Sequence, residues 1–305
     1  VALVGMTASG KSQVALEVAA QCGDVAICSV DSMTVYTEMD IGTAKPTAED
    51  RALVPHFLLD LVDPAQEFSV AEFQQFGRAA MEEASGRGLV PLLVGGTGLY
   101  HRAIVDNLEL PGQFPAVARD LADRLEADGL ASLYAELERL DPLAATRMEP
   151  TNERRILRAL EVAIGSGRPF SSFGPGLEAY GPSPVIQLGC LVDRTNLNGR
   201  IAARVAQFMD QGFLAEVQRL AERPGGLSRT ARQAVGYREL LAHVDGACSL
   251  DEAVANTVTA TRQLARRQWS WFRRDPRITW VERDDLGATL RSALATVRAT
   301  GRMET

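Results

Sequence analysis

The chain has 305 residues, of which 46% are hydrophobic and 23% charged. That is apolar content for one large domain or two smaller ones, and it excludes wholesale disorder. No apolar run approaches the roughly 18–20 residues that cross a bilayer, so no membrane partner and a cytoplasmic location are expected. Val1 opens directly on an apolar run with no initiator Met, so further residues are expected to precede it. The cysteines, Cys22, Cys28, Cys190 and Cys248, form no C-x2-C pair and the histidines are scattered; free thiols are expected rather than zinc or disulfides.

In chain order, Val1 to Val4 reads as a buried strand ending at Gly5, followed by a helix over 11–20 and a second buried strand over 25–30 that stops at Asp31. Residues 40–69 read as loops with a short strand at 57–61. A helix over 70–85 carries Phe73, Phe76, Ala80 and Met81 at helical spacing, and another buried strand at 90–94 runs into Gly95-Gly96-Thr97-Gly98. Repeated strand–loop–helix units predict an α/β fold: a parallel sheet of the P-loop NTPase type, helices on both faces, ligands at the carboxyl ends of the strands. Helices at 115–128, 130–140 and 151–165, then a Gly/Pro/Ser-rich loop to 184, read as a helical insertion over 111–184. The core would then comprise 1–110 and 185–305, with a further strand at 185–192 and helices at 197–212, 213–222, 231–243 and 251–274.

The net charge of −7 argues at first against a nucleic-acid partner. Its distribution is uneven. Residues 194–277 hold 14 Arg against 8 acidic residues, whereas residues 1–193 hold 14 basic and 27 acidic ones. A basic stretch on an acidic chain marks a face that meets phosphates, or an ordinary solvated face. Only two of the 32 basic residues are lysines, Lys11 and Lys45, and Lys11 closes a glycine loop where a compact charge suits a phosphate nest.

Gly5-Met6-Thr7-Ala8-Ser9-Gly10-Lys11-Ser12 fits G-x4-G-K-[ST] between a strand and a helix. Its backbone N–H groups and the helix N-terminus favour phosphate, Lys11 would contact phosphate oxygens, and Ser12 is placed to ligate Mg²⁺. Nucleotide hydrolysis loses ground. Lys11 and Lys45 precede Ser12 and Pro46, so no N/T-K-x-D base-reading motif exists, and the strand at 90–94 ends in Gly95-Gly96 rather than in a magnesium-binding Asp. Asp31 reads as a magnesium carboxylate, a general base or a turn residue. Arg200 and Arg204 share a helix face and suit a diphosphate, an RNA backbone or solvent. Arg262, Arg266, Trp269 and Arg273 form a stripe, with Arg267, Trp271 and Arg274 beside it. That pattern suits a nucleic-acid surface, or core tryptophans flanked by solvated arginines. The loop alone also permits a small-molecule kinase, and the basic half alone an RNA-binding protein.

Taken together, GMTASGKS at 5–12, DSMTVYTEMDIGTAKP at 31–46, PHFLLDLVDP at 55–64, GGTGLY at 95–100, TNERRILRALEV at 151–162, AVGYRE at 234–239 and TRQLARRQWSWFRR at 261–274 resemble the bacterial-type tRNA dimethylallyltransferases (isopentenyl-diphosphate:tRNA transferases). The resemblance implies transfer of dimethylallyl from its diphosphate to the exocyclic N6 amine of the adenine 3′ of the tRNA anticodon, position 37. The implied partners are tRNA and dimethylallyl diphosphate, with Mg²⁺ as cofactor; a monomer is the separate expectation for the chain. It implies that Gly5, Thr7, Ala8, Ser9, Gly10, Lys11 and Ser12 hold the diphosphate, with Ser12 on the metal, and that Asp31, Thr7 and Arg204 are catalytic. It places Asp31, Ser32, Met33, Thr34, Thr97, Arg154, Arg155, Arg158, Gln233, Gly236, Tyr237, Arg238, Arg266, Arg267 and Arg273 along the tRNA. The chain departs from the family pattern at Ala118, where an Arg is more usual and Arg119 lies one place along, and at Phe57, where a second His is common.

Overall fold

A computed structural model describes residues 1–301. Its sheet has six parallel strands. They are β1 (Ala2–Val4), β2 (Val25–Val30), β3 (His56–Phe57), β4 (Val90–Gly95), β5 (Gln187–Leu191) and β6 (Ile278–Glu282), in the order β3-β2-β4-β1-β5-β6. Alternate side chains go to opposite faces. Leu3, Ile27, Leu92 and Val94 meet α1 (Lys11–Cys22) and α13 (Arg283–Gly301) through Val14, Val18, Leu286 and Leu290. Ala2, Cys28, Val30 and Leu93 face the other core, with α3 (Val70–Gly86) and α4 (Gly98–Val105). That second core also holds α9 (Phe213–Ala221) and α11 (Tyr237–Val244). The P-loop-type sheet with helices on both faces is thus observed.

Differences from the sequence reading have local causes. The strand expected at 57–61 is His56–Phe57, because Leu58 and Asp60 take φ values of 64° and 55° and turn the chain away. The expected loop contains α2 (Ala48–Leu53), started by a reciprocal capping box between Thr47 and Asp50. Phe76 is 45% exposed; Gln74 and Gly77 take part in the buried face of α3 instead. The single helix expected over 231–243 is split into α10 (Arg229–Arg232) and α11 at Gly236, whose φ is 91°. Strand β6 and helix α13 are additional to the elements that the sequence pattern predicts.

The chain divides into two compact units, Val1–Asp106 with Pro182–Thr305, and Asn107–Gly181. The second is helical. Its α5 (Pro115–Leu140) is broken at Gly129, with φ 77°, so Arg124 pairs with Glu136 across the bend. Helices α6 (Pro142–Thr146) and α7 (Glu153–Ser166) complete it around Leu121, Leu133, Leu137, Ile156 and Leu160. The first unit also contains α8 (Arg194–Asp210) and α12 (Leu250–Phe272). No helix among the described residues is long and apolar enough to cross a membrane.

Candidate active site

Strands β1, β2 and β4 end in register: Val4 and Val30 both lie beside Gly95. The loops that follow them, Gly5–Gly10, Asp31–Thr34 and Gly96–Thr97, therefore leave the same edge of the sheet, where ligands of open α/β sheets bind.

In the first loop Ala8 and Gly10 take φ values of 59° and 91°, a left-handed alternation that turns backbone N–H groups to one side. The first turn of α1 carries no acidic residue to compete with an anion. Lys11 Nζ donates to the Met6 carbonyl at 3.2 Å. Burial pushes its ammonium down to about 8; Arg204 acts in the same direction, and Asp31 and Cys190 oppose it. Ser12 is exposed at the helix start, whereas Ser9 is wholly buried, its Oγ without a partner among the described residues.

Asp31 is half-buried. Its Oδ1 accepts the Met33 N–H at 2.8 Å, an Asx turn that fixes the carboxylate at the end of β2. The other oxygen takes no hydrogen bond among the described residues. Thr97 Oγ accepts the Ser32 N–H at 3.1 Å, tying the carboxylate loop to the glycine loop. Thr34 is buried, its hydroxyl 3.0 Å from that of Ser29, and Met33 packs on the core.

Sequence reasoning missed the residue that joins the other two loops. Gln268 of α12 accepts the Thr7 N–H at 2.7 Å and donates to the Gly96 carbonyl at 3.1 Å. Thr7 N–H is thereby occupied and is not one of the loop's free anion donors. The helix comes this close because a Cβ on Gly96 would lie 2.4 Å from Gln268 Nε2, and one on Gly98 2.2 Å from Trp271. Trp269 packs with Met6 and Ala8 and meets Trp280 edge-on at 4.8 Å. The tryptophans of the stripe are thus packing residues against the site loops, while Arg266, Arg267 and Arg273 are exposed.

The motif run at 40–46 is likewise built from within. Glu216, 1% exposed, accepts the N–H groups of Asp40, Ile41 and Gly42 at 3.1, 2.8 and 3.3 Å, and the Tyr237 hydroxyl at 2.6 Å. Lys45 is buried between Asp40 and Asp60, at 2.7 and 2.6 Å. It organises the loop rather than offering a free cation.

This loop and α8 wall a cavity of about 1170 Å³ that reaches Lys11 and Ser12 and includes Arg200 and Arg204. Arg204 lies over the Phe208 ring at 5.2 Å. Burial lowers its affinity for a proton and Asp31 raises it, so loop cation, carboxylate and guanidinium act on one another. No group of three or more His, Cys, Asp or Glu side chains among the described residues forms a metal cage.

The expected tRNA face is only partly a surface. Arg154, Arg155, Gln233 and Arg238 are exposed. Tyr237, expected along the tRNA, is 0% exposed with its ring edge-on to Phe213 at 5.0 Å, so its side chain packs in the core. Gly236 is buried against Phe213 too. Arg158 is half-buried, donating to the carbonyls of Pro111 and Gly112 at 3.0 Å each and pairing with Glu161; it braces the second unit.

An anion loop and a fixed carboxylate at the same carboxyl edge of such a sheet place the chain among phosphate-loop proteins. The chain belongs to the IPP transferase family, whose sequence model matches residues 34–275. It is 46% identical over 293 residues to the tRNA dimethylallyltransferase of Pseudarthrobacter chlorophenolicus, covering 96% of each chain. The Streptomyces coelicolor tRNA dimethylallyltransferase is 46% identical over 281 residues, 92% of this chain and 89% of the relative. Among solved structures it resembles the full-length tRNA isopentenylpyrophosphate transferase of Bacillus halodurans (TM-score 0.70, 34% identity, 99% and 98% covered). It also resembles a eukaryotic dimethylallyltransferase acting on tRNA (TM-score 0.76, 25% identity, 95% and 76% covered).

Proposed function

We propose that this chain transfers the dimethylallyl group of dimethylallyl diphosphate to the N6 amine of adenine 37 in tRNA and releases diphosphate. The observation that carries this reading is the mutual placement of Lys11, Arg204 and Asp31: the two cations line one cavity and both feel the Asp31 carboxylate, so an anion site and a proton acceptor lie within electrostatic reach of each other.

An exocyclic adenine amine is a weak nucleophile. As its nitrogen bonds to the allylic carbon, the carbon–oxygen bond to diphosphate breaks and Asp31 takes the amine proton through the oxygen that Met33 leaves free. The loop amides, Lys11 and Arg204 hold the negative charge that grows on the leaving group. Thr7, on the diphosphate loop, and Thr97, beside the target nucleotide, are kept in step by Gln268. The adenine reaches Asp31 by leaving the anticodon-loop stack.

Mg²⁺ fits the donor set. It is bound through few protein oxygens plus substrate phosphates, and Ser12 offers an exposed hydroxyl at the anion loop. When bound, the ion would neutralise diphosphate charge. Arg154 and Arg155 on the helical unit, and Gln233, Arg238, Arg266, Arg267 and Arg273 on the core, would meet the tRNA backbone. The chain would act as a monomer in the cytoplasm.

Mass spectrometry of nucleosides after incubation with dimethylallyl diphosphate tests this. Adenosine from tRNA should gain one dimethylallyl group while free AMP stays unmodified; unmodified tRNA would refute the reading.

A further inference from the structure

Arg283 opens α13 directly after β6 and belongs to no recognised motif. Strand β6 pairs with β5 and β5 with β1, so Arg283 leaves the same sheet edge as the phosphate loop. Its side chain reaches back to that loop. A Cβ on Gly10 would lie 2.7 Å from Arg283 Nε and 3.0 Å from Arg200 Nη2. Two guanidiniums therefore meet over the residue that precedes Lys11. The Cys190 thiol at the end of β5 feels the charges of Lys11, Arg283 and Arg200 together, which sets all three cations around one strand end.

Among the described residues no carboxylate neutralises either guanidinium. Arg283 Nε is buried without a hydrogen-bond partner, and no ion pair among the described residues involves Arg200 or Arg283. Carboxylates are plentiful in a chain of net charge −7, and Arg223, Arg277 and Arg298 have each found theirs. Half-buried unpaired cations are costly unless an anion completes them. A planar guanidinium fork matches phosphate oxygens bidentately.

We infer that Arg283, together with Arg200, is part of the donor site and grips the diphosphate over Gly10. This rests on the donor reading above. It makes α13 a contributor to the site and assigns Arg283 to the diphosphate alone, not to the nucleic acid.

Calorimetric titration with inorganic pyrophosphate and with dimethylallyl diphosphate, both with Mg²⁺, tests it. Arg283→Ala and Arg283→Gln should weaken both ligands about tenfold or more, the loss of a charge-assisted contact. Arg283→Lys should recover part of the loss. Binding of an anticodon stem-loop should not change. Arg291→Ala, on the same helix and bonded to Gln21 at 3.2 Å, should match wild type. Pyrophosphate binding within twofold of wild type in the folded Gln or Ala variant would overturn the inference and leave the donor site standing. A wild-type protein that binds neither ligand would instead overturn the donor reading, and this inference with it.

Discussion

Replacing Gln268 by Met removes the bridge between the diphosphate loop and the glycine loop at nearly constant volume. The Thr7 N–H, now 2.7 Å from Oε1, and the Gly96 carbonyl, now 3.1 Å from Nε2, both lose their partner. Leaving a buried backbone group unsatisfied costs about 1–3 kcal/mol. Thr7 is only half-buried, so solvent can partly replace its lost partner, and a total of about 2–3 kcal/mol is expected. Part of it appears as lower stability in urea unfolding. The rest appears as displacement of Thr7 and Thr97, and an error of about 1 Å in a reacting array costs on the order of 100-fold in rate. Single-turnover prenyl transfer should fall by roughly that factor, with stem-loop affinity unchanged. Gln268→Glu keeps the acceptor for Thr7 but sets a carboxylate against the Gly96 carbonyl, so its unfolding midpoint should stay below wild type. A Met variant with wild-type midpoint and rate would refute the bridge.

Further expectations follow from the same geometry. Glu216→Ala removes the acceptor for three amides and the Tyr237 hydroxyl and should cost about 3–5 kcal/mol in chemical denaturation. Tyr237→Phe should cost about 1–2 kcal/mol without altering tRNA KM, as its burial requires. Because the Lys11 ammonium is pushed down to about 8 by burial, dimethylallyl diphosphate affinity should decline as pH rises through that value in calorimetry. Lys11→Met should bind weakly and lack that component. For folding the sign is opposite: the unfolded chain holds the Lys11 proton to higher pH than the native one, so this group favours the native state more as pH rises above about 8. Arg266→Ala with Arg267→Ala should reduce the magnitude of the salt slope of tRNA binding by up to about two.

The three strand-end loops were legible because glycine patterns, apolar runs and a terminal Asp carry information locally. Gly5–Ser12, Asp31 and Gly95–Gly98 lie where the sequence places them, at the carboxyl edge of a parallel sheet. What escaped notice depends on which helix face meets which loop. Gln268 is an unremarkable helix position until Gly96 and Gly98 let α12 approach. Glu216 reads as a surface charge until the amides of 40–42 are aimed at it. Lys45 and Tyr237 sit in motif segments yet serve the interior, since a motif marks constraint without saying whether a ligand or the core imposes it. The break at Gly236 was missed for a related reason: its φ of 91° answers to Phe213, a partner distant in sequence.

Asp31→Asn tests the account most directly. The amide oxygen can still accept the Met33 N–H that fixes the turn, while the group can no longer take a proton. In single-turnover transfer from dimethylallyl diphosphate to tRNA, this variant should bind both substrates with near wild-type affinity and lose transfer by at least about 100-fold. Undiminished transfer by a variant whose amide is verified by mass spectrometry would contradict the account.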